Sequence, residues 1–161
     1  MRILMICTGN ICRSPMAEGI LQKKLKDNHL DNFVSVDSCG FEAFHLEEPP
    51  YYMAAKTAKK HGIDIEHQRQ RLLSEEDFDT FDKIYVMDSY NYQCVKQISR
   101  NDEDMNKVDY LRNLVYPGKN QHVPDPWGGT EKDYEHAFQL IDEACDILIE
   151  KIKNKNLDSV I

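Results

Sequence analysis

The sequence predicts an α/β fold: a parallel sheet with helices on both faces, layered as a three-layer sandwich. Short apolar runs of strand length stand at residues 2–6, around 34–36 and at 83–87. Segments with helical period lie between and after them. Strands that alternate with helices form parallel βαβ units, and such a sheet is buried on both sides. No shift in composition marks a boundary, so the 161 residues suit one domain spanning 1–161.

Residues 2–6, RILMI, are too short for a helix and suit a strand buried on both faces, ending at Cys7. Ser14 and Pro15 then open a helical pattern through Met16, Ala17, Ile20, Leu21 and Leu25, with Pro early and Glu18 expected in the first turn. Val34 and Val36 mark a second strand, and Glu47 to Pro50 punctuate a loop. Ala54 to Lys60 reads as a helix stopped by Gly62. Lys83 to Met87 is a third buried strand, followed by a helix from about Ser89 to Ser99. A fourth strand is expected over Val108 to Val115, then loop over 116–130. The last helix is the clearest: Phe138, Ile141, Cys145, Leu148 and Ile152 recur at three and four residues, with charge on the other face.

With 41% apolar and 30% charged residues, the chain is of the ordinary globular class. A net charge of −8 argues against nucleic acid or an anionic membrane surface as a partner, so any anion it binds needs a local device. Residues 1–6 offer neither a signal-peptide core nor a membrane span, which makes a cytoplasmic location the expectation. Five cysteines, an odd number, are expected to be reduced thiols. No Cys-x-x-Cys pair or histidine cluster suggests a metal site.

The informative segment is Cys7-Thr8-Gly9-Asn10-Ile11-Cys12-Arg13-Ser14, between a buried strand and a helix start. A loop leading into a helix N-terminus turns unpaired N–H groups toward one spot, where the helix dipole adds positive charge. That spot attracts a phosphate dianion. The same field favours a thiolate, which makes Cys7 a candidate nucleophile. Arg13 can present a planar fork to two phosphate oxygens, a geometry that lysine cannot match. Ser14 offers a hydroxyl to the thiolate. A single cysteine after a strand is usually a small buried hydrophobe, and an arginine can be a solvated helix residue. Cys, Gly, Arg and Ser at these offsets in this context favour the functional reading.

The segment CTGNICRSPMAEG at 7–19 resembles the signature of the low-molecular-weight protein tyrosine phosphatases, and Val123-Pro124-Asp125-Pro126-Trp127 resembles their general-acid loop. VDSCG at 36–40, EEDFDTFDKIYVMD at 75–88 and the last helix resemble the family in order and spacing, nearly covering the chain. The resemblance implies a four-stranded parallel sheet with a phosphate-binding loop between the first strand and first helix, and no metal or organic cofactor. It implies catalysis by Cys7, Arg13 and Asp125 through a phosphocysteine. Thr8, Gly9, Asn10, Ile11, Cys12 and Ser14 would form the binding loop, Phe44 and Trp127 would hold the aromatic ring, and Ser38 would support Asn10. Phosphotyrosine proteins are the implied partners, with phosphate or other oxyanions in the loop.

Cys12 is close enough in sequence to Cys7 for a reversible disulfide, and reads equally well as a buried filler. Cys39, Cys94 and Cys145 read as structural. The chain departs from the family pattern at Phe44, where Trp is frequent, at Gly128, at Gln68 in place of His with His67 one position earlier, and at Pro49-Pro50-Tyr51. Rival readings are a phosphoarginine phosphatase, for which the apolar Ile11 is less suited, and a thioredoxin-coupled arsenate reductase, which needs further redox cysteines where only Cys94 lies. An idle phosphate-binding module is a third, though it would need neither a thiolate nor an acid.

Overall fold

The computed structural model describes residues 1–154. Four parallel strands form one sheet: β1 (Arg2–Ile6), β2 (Ser35–Cys39), β3 (Lys83–Val86) and β4 (Val108–Tyr110), in the order β2-β1-β3-β4. The helices are α1 (Arg13–Asp27), α2 (Tyr52–Lys60), α3 (Glu75–Thr80), α4 (Ser89–Ile98), α5 (Asp102–Asn106) and α6 (Glu131–Lys153). β1 is central, and its alternation divides the core. Ile3 and Met5 join the cluster under α1, α2 and α6; Leu4 and Ile6 join Phe78, Phe81 and Val95 under α3 and α4. This is the three-layer arrangement expected. No helix among the described residues is long and apolar enough to cross a membrane.

Where the chain departs from the sequence expectation, local chemistry explains it. The fourth strand ends at Tyr110, and Leu111–Leu114 tighten into a 3₁₀ turn that buries Leu111 instead of continuing the alternation. α1 begins at Arg13, so Glu18 lies in its second turn and Pro15 in its first. The second strand begins at Ser35, one residue beyond Val34. Two short helices were not foreseen. α3 opens with a reciprocal capping box between Ser74 and Asp77, a signal present in the sequence as Ser-x-x-Asp. α5 is capped by the Asn101 side chain, which accepts from the Asp104 N–H.

Because strand order reverses about β1 and β3, their carboxyl ends open the crevice in which sheets of this kind bind ligands. The loop 7–12 occupies that crevice. Gly40, just after β2, closes against it: a Cβ there would stand 2.8 Å from both the Asn10 nitrogen and the Thr8 carbonyl oxygen. Only glycine lets the two loops pack this closely.

Candidate active site

Cys7 directly follows β1, with its side chain buried at the bottom of a cavity of about 370 Å³. Thr8, Gly9, Ile11, Cys12 and Arg13 line the floor; Glu42, Phe44, His45, Asp125 and Trp127 line the mouth. Among the described residues, the backbone N–H groups of residues 8–13 donate to no other protein group. α1 also has no side-chain cap at Cys12. These donors and the helix dipole converge on the cavity floor, which suits an oxyanion.

The loop is held from behind. Asn10 takes a left-handed conformation, φ 52°, that asparagine tolerates. Its Nδ2 donates to Ser14 Oγ and to Ser38 Oγ, both at 2.9 Å, while its Oδ1 accepts from the Arg71 N–H at 3.1 Å. Ser14 Oγ lies 3.0 Å from Cys7 Sγ. The side chains of Asn10 and Ser14, expected among the substrate contacts, therefore stand behind the loop with their polar atoms spent on internal hydrogen bonds. Gln70, which the sequence reading passed over, donates to the Gly9 and Glu42 carbonyls and ties the loop to the mouth. Gln68 donates to the Pro15 carbonyl at 3.0 Å, bracing the first turn of α1.

Arg13 is 2% exposed. Its Nη1 donates to Asp88 Oδ2 at 2.6 Å and to the Val123 carbonyl at 2.9 Å, and its Nη2 lies 3.6 Å from Asp125 Oδ2. Burial opposes the charge, but Cys7, Asp88 and Asp125 together hold its proton more firmly than usual. Asp88 was not foreseen. Its Oδ1 caps α4 by accepting from the Asn91 N–H, and that N-cap position after a buried strand is the signal that could have found it. Asn91 in turn donates to Thr8 Oγ1 at 3.1 Å.

Asp125 sits in the loop that Val123 ties to the end of β3 through its N–H to the Met87 carbonyl. Its Oδ1 accepts from the Trp127 N–H at 3.1 Å, which turns the carboxylate toward the cavity and leaves it about half exposed. Trp127 packs on Tyr51, with ring centroids 4.7 Å apart, and Phe44 is 82% exposed across the mouth. Burial pushes the Cys12 thiol up to about 12, against the hydrogen bond from Tyr134, so Cys12 remains protonated at neutral pH. Cys39 and Cys145 are fully buried, whereas Cys94 is half-buried on α4 and less enclosed than a packing residue would be.

A model of the low molecular weight phosphotyrosine protein phosphatases matches residues 2–158. The chain belongs to this family. A low molecular weight phosphotyrosine protein phosphatase from Gallus gallus is 34% identical, with 92% of this chain and 94% of that one covered. Wzb of Vibrio vulnificus, solved with benzylphosphonate, is similar with a TM-score of 0.82 and 31% identity over 93% and 97% of the two chains. A protein tyrosine phosphatase of Entamoeba histolytica, solved with Hepes in its active site, reaches a TM-score of 0.89 at 29% identity, covering 97% and 99%. For this phosphatase family the phosphorylated substrate is the common ground, and the cavity at Cys7 is where the donors of this chain converge.

Proposed function

We propose that this chain, as a single catalytic domain, is a protein tyrosine phosphatase that hydrolyses phosphotyrosine in proteins, with Cys7 as nucleophile, Arg13 as phosphate holder and Asp125 as general acid and base. The observation that carries the assignment is the convergence on one cavity of Cys7, 3.0 Å from the Ser14 hydroxyl, of an Arg13 fixed by Asp88, and of the Asp125 carboxylate.

In the first step the Cys7 thiolate attacks phosphorus, the ester P–O bond breaks, and protonated Asp125 gives its proton to the departing phenolate. In the second, water attacks the phosphocysteine, Asp125 takes a proton from it, and the S–P bond breaks to return the thiolate, stabilised by Ser14. The loop amides and Arg13 act by holding equatorial oxygen charge in a preorganised field. Phe44 and Trp127 flank the mouth and supply apolar surface for the aromatic ring, and Ile11 extends it on the floor. That surface favours a phenyl phosphate over the polar guanidino group of phosphoarginine.

Turnover of phosphotyrosine, phosphoserine and phosphoarginine peptides by wild type, Cys7→Ser and Asp125→Ala, with a chelator present, tests the assignment. Phosphotyrosine is expected to turn over, Cys7→Ser to abolish it, and Asp125→Ala to slow it by about 10²–10⁴. Phosphate binding without turnover of any substrate would leave a binding module in its place.

A further inference from the structure

At the end of the sheet away from Cys7 a second cavity, of about 190 Å³, opens between β3, β4 and the last turn of α6. Lys83, the first residue of β3, pairs with Ile3, which stands four residues and roughly 13 Å along the chain from Cys7. Tyr85, two residues on, projects from the same face of the strand, and both side chains line the cavity. We infer that this cavity is a binding site for a small organic carboxylate, held by the Lys83 ammonium and the Tyr85 hydroxyl. The site is separate from the reaction assigned to Cys7.

Tyr85 is 3% exposed, and its hydroxyl opens on the cavity with no hydrogen-bond partner among the described residues. A buried hydroxyl left unpaired forfeits the hydrogen bonds it had with water, and packing alone would be served as well by phenylalanine. Burial pushes the phenol up, and the negative charge of Asp109 adds to this, so the hydroxyl keeps its proton and offers it as a donor.

Lys83 points the same way. It is half-buried, and its ammonium forms no ion pair among the described residues. Burial pulls it below the ordinary lysine range, and the attraction of Asp109 offsets this only in part. Asp109 is occupied elsewhere: its Oδ1 accepts from the Tyr110 N–H at 2.8 Å and from Asn113 Nδ2 at 2.7 Å. Lys151 reaches the cavity from α6, so two cations face one carboxylate in a chain whose net charge is −8. An anion placed here compensates the half-buried ammonium and accepts the Tyr85 O–H. Leu114 and Pro117 supply apolar wall on which a short hydrocarbon part packs. A carboxylate monoanion also meets less repulsion from Asp109 than a phosphate dianion would.

Titration of the full-length, nitrogen-15-labelled protein, followed by amide NMR at constant ionic strength, tests the site with butyrate and inorganic phosphate as separate probes. Butyrate is expected to shift the signals of residues 83–85 and 117–118 saturably, with a Kd of about 1–10 mM. Tyr85→Phe and Lys83→Gln are each expected to raise that Kd by about fivefold to tenfold. Phosphate is expected to shift loop 8–13, and to do so equally in all three proteins. The assignment falls if butyrate at about 100 mM moves no signal near Lys83 saturably, if either folded variant binds it as wild type does, or if phosphate alone saturates the cavity. Should Lys83→Gln not fold, Tyr85→Phe keeps the packing of the ring and decides by itself. A loop 8–13 that ignores phosphate would count against the reading of Cys7 and leave the carboxylate site to stand on the butyrate titration.

Discussion

The floor and the mouth of the cavity are built on opposite plans. On the floor, Cys7, Arg13, Ser14, Asn10 and Ser38 are all buried, and the polar side chains each engage at least one fixed partner. At the mouth, Phe44 is 82% exposed, Trp127 52%, and Asp125 keeps one carboxylate oxygen on a backbone N–H and the other toward Arg13. The floor must present charge to an anion with no reorganisation during reaction, and burial with complete hydrogen bonding achieves that. The mouth must admit the side chains of large substrates, and loosely packed aromatic rings on loops suit that task.

If the contrast holds, substitutions on the floor act on kcat and those at the mouth on KM. The largest effect is expected for Arg13→Lys. Lysine keeps the charge but cannot serve Asp88, Val123 and an oxyanion at once, and kcat/KM for a phosphotyrosine peptide should drop by about 10²–10³. A drop under tenfold would mean that charge alone suffices and that the fixed geometry is dispensable. Trp127→Ala should leave kcat near wild type and raise KM by about threefold to tenfold, through loss of contact with the substrate ring and of the tilted packing on Tyr51. A fall in kcat of the floor's size would place Trp127 with the rigid machinery.

The smallest effect concerns stability. Glu18 binds its proton more tightly folded, near 7, than in its ordinary state at 4.5. The contribution of the protonated form is fully present below about 4.5 and is lost as pH rises to about 7. It is worth roughly 1–3 kcal/mol. Urea unfolding at pH 5 and 8 should show wild type losing stability relative to Glu18→Gln over that interval. Equal losses in both proteins would mean that the carboxyl is well solvated.

These two regions also differ in how much of them the sequence discloses. Cys7, Arg13 and Ser14 are contiguous, so strand, loop and helix signals fix their neighbourhood without knowledge of tertiary structure. Asp125 could be assigned only through resemblance, because a Pro-Asp-Pro turn has no period and no fixed partner in sequence. Asp88, Gln70 and His45 give no local signal because Gln70 and His45 come from the β2–β3 crossover and Asp88 from the start of the next, and their proximity to the loop is a product of strand order. Asn10 and Ser14 read as loop residues, Asn10 supported by Ser38 and Ser14 with its hydroxyl toward the thiolate, but the Arg71 N–H that fixes the Asn10 amide lies 61 residues away and leaves no local signal. The fourth strand was overextended because Tyr110, Leu111, Leu114 and Val115 give an apolar run that a 3₁₀ turn buries equally well.

Asp88 serves two masters: one oxygen closes the first turn of α4 and the other grips Arg13. A change at this carboxylate therefore loosens the start of α4 and the aim of Arg13 together, and the fold leaves no way to adjust one without the other.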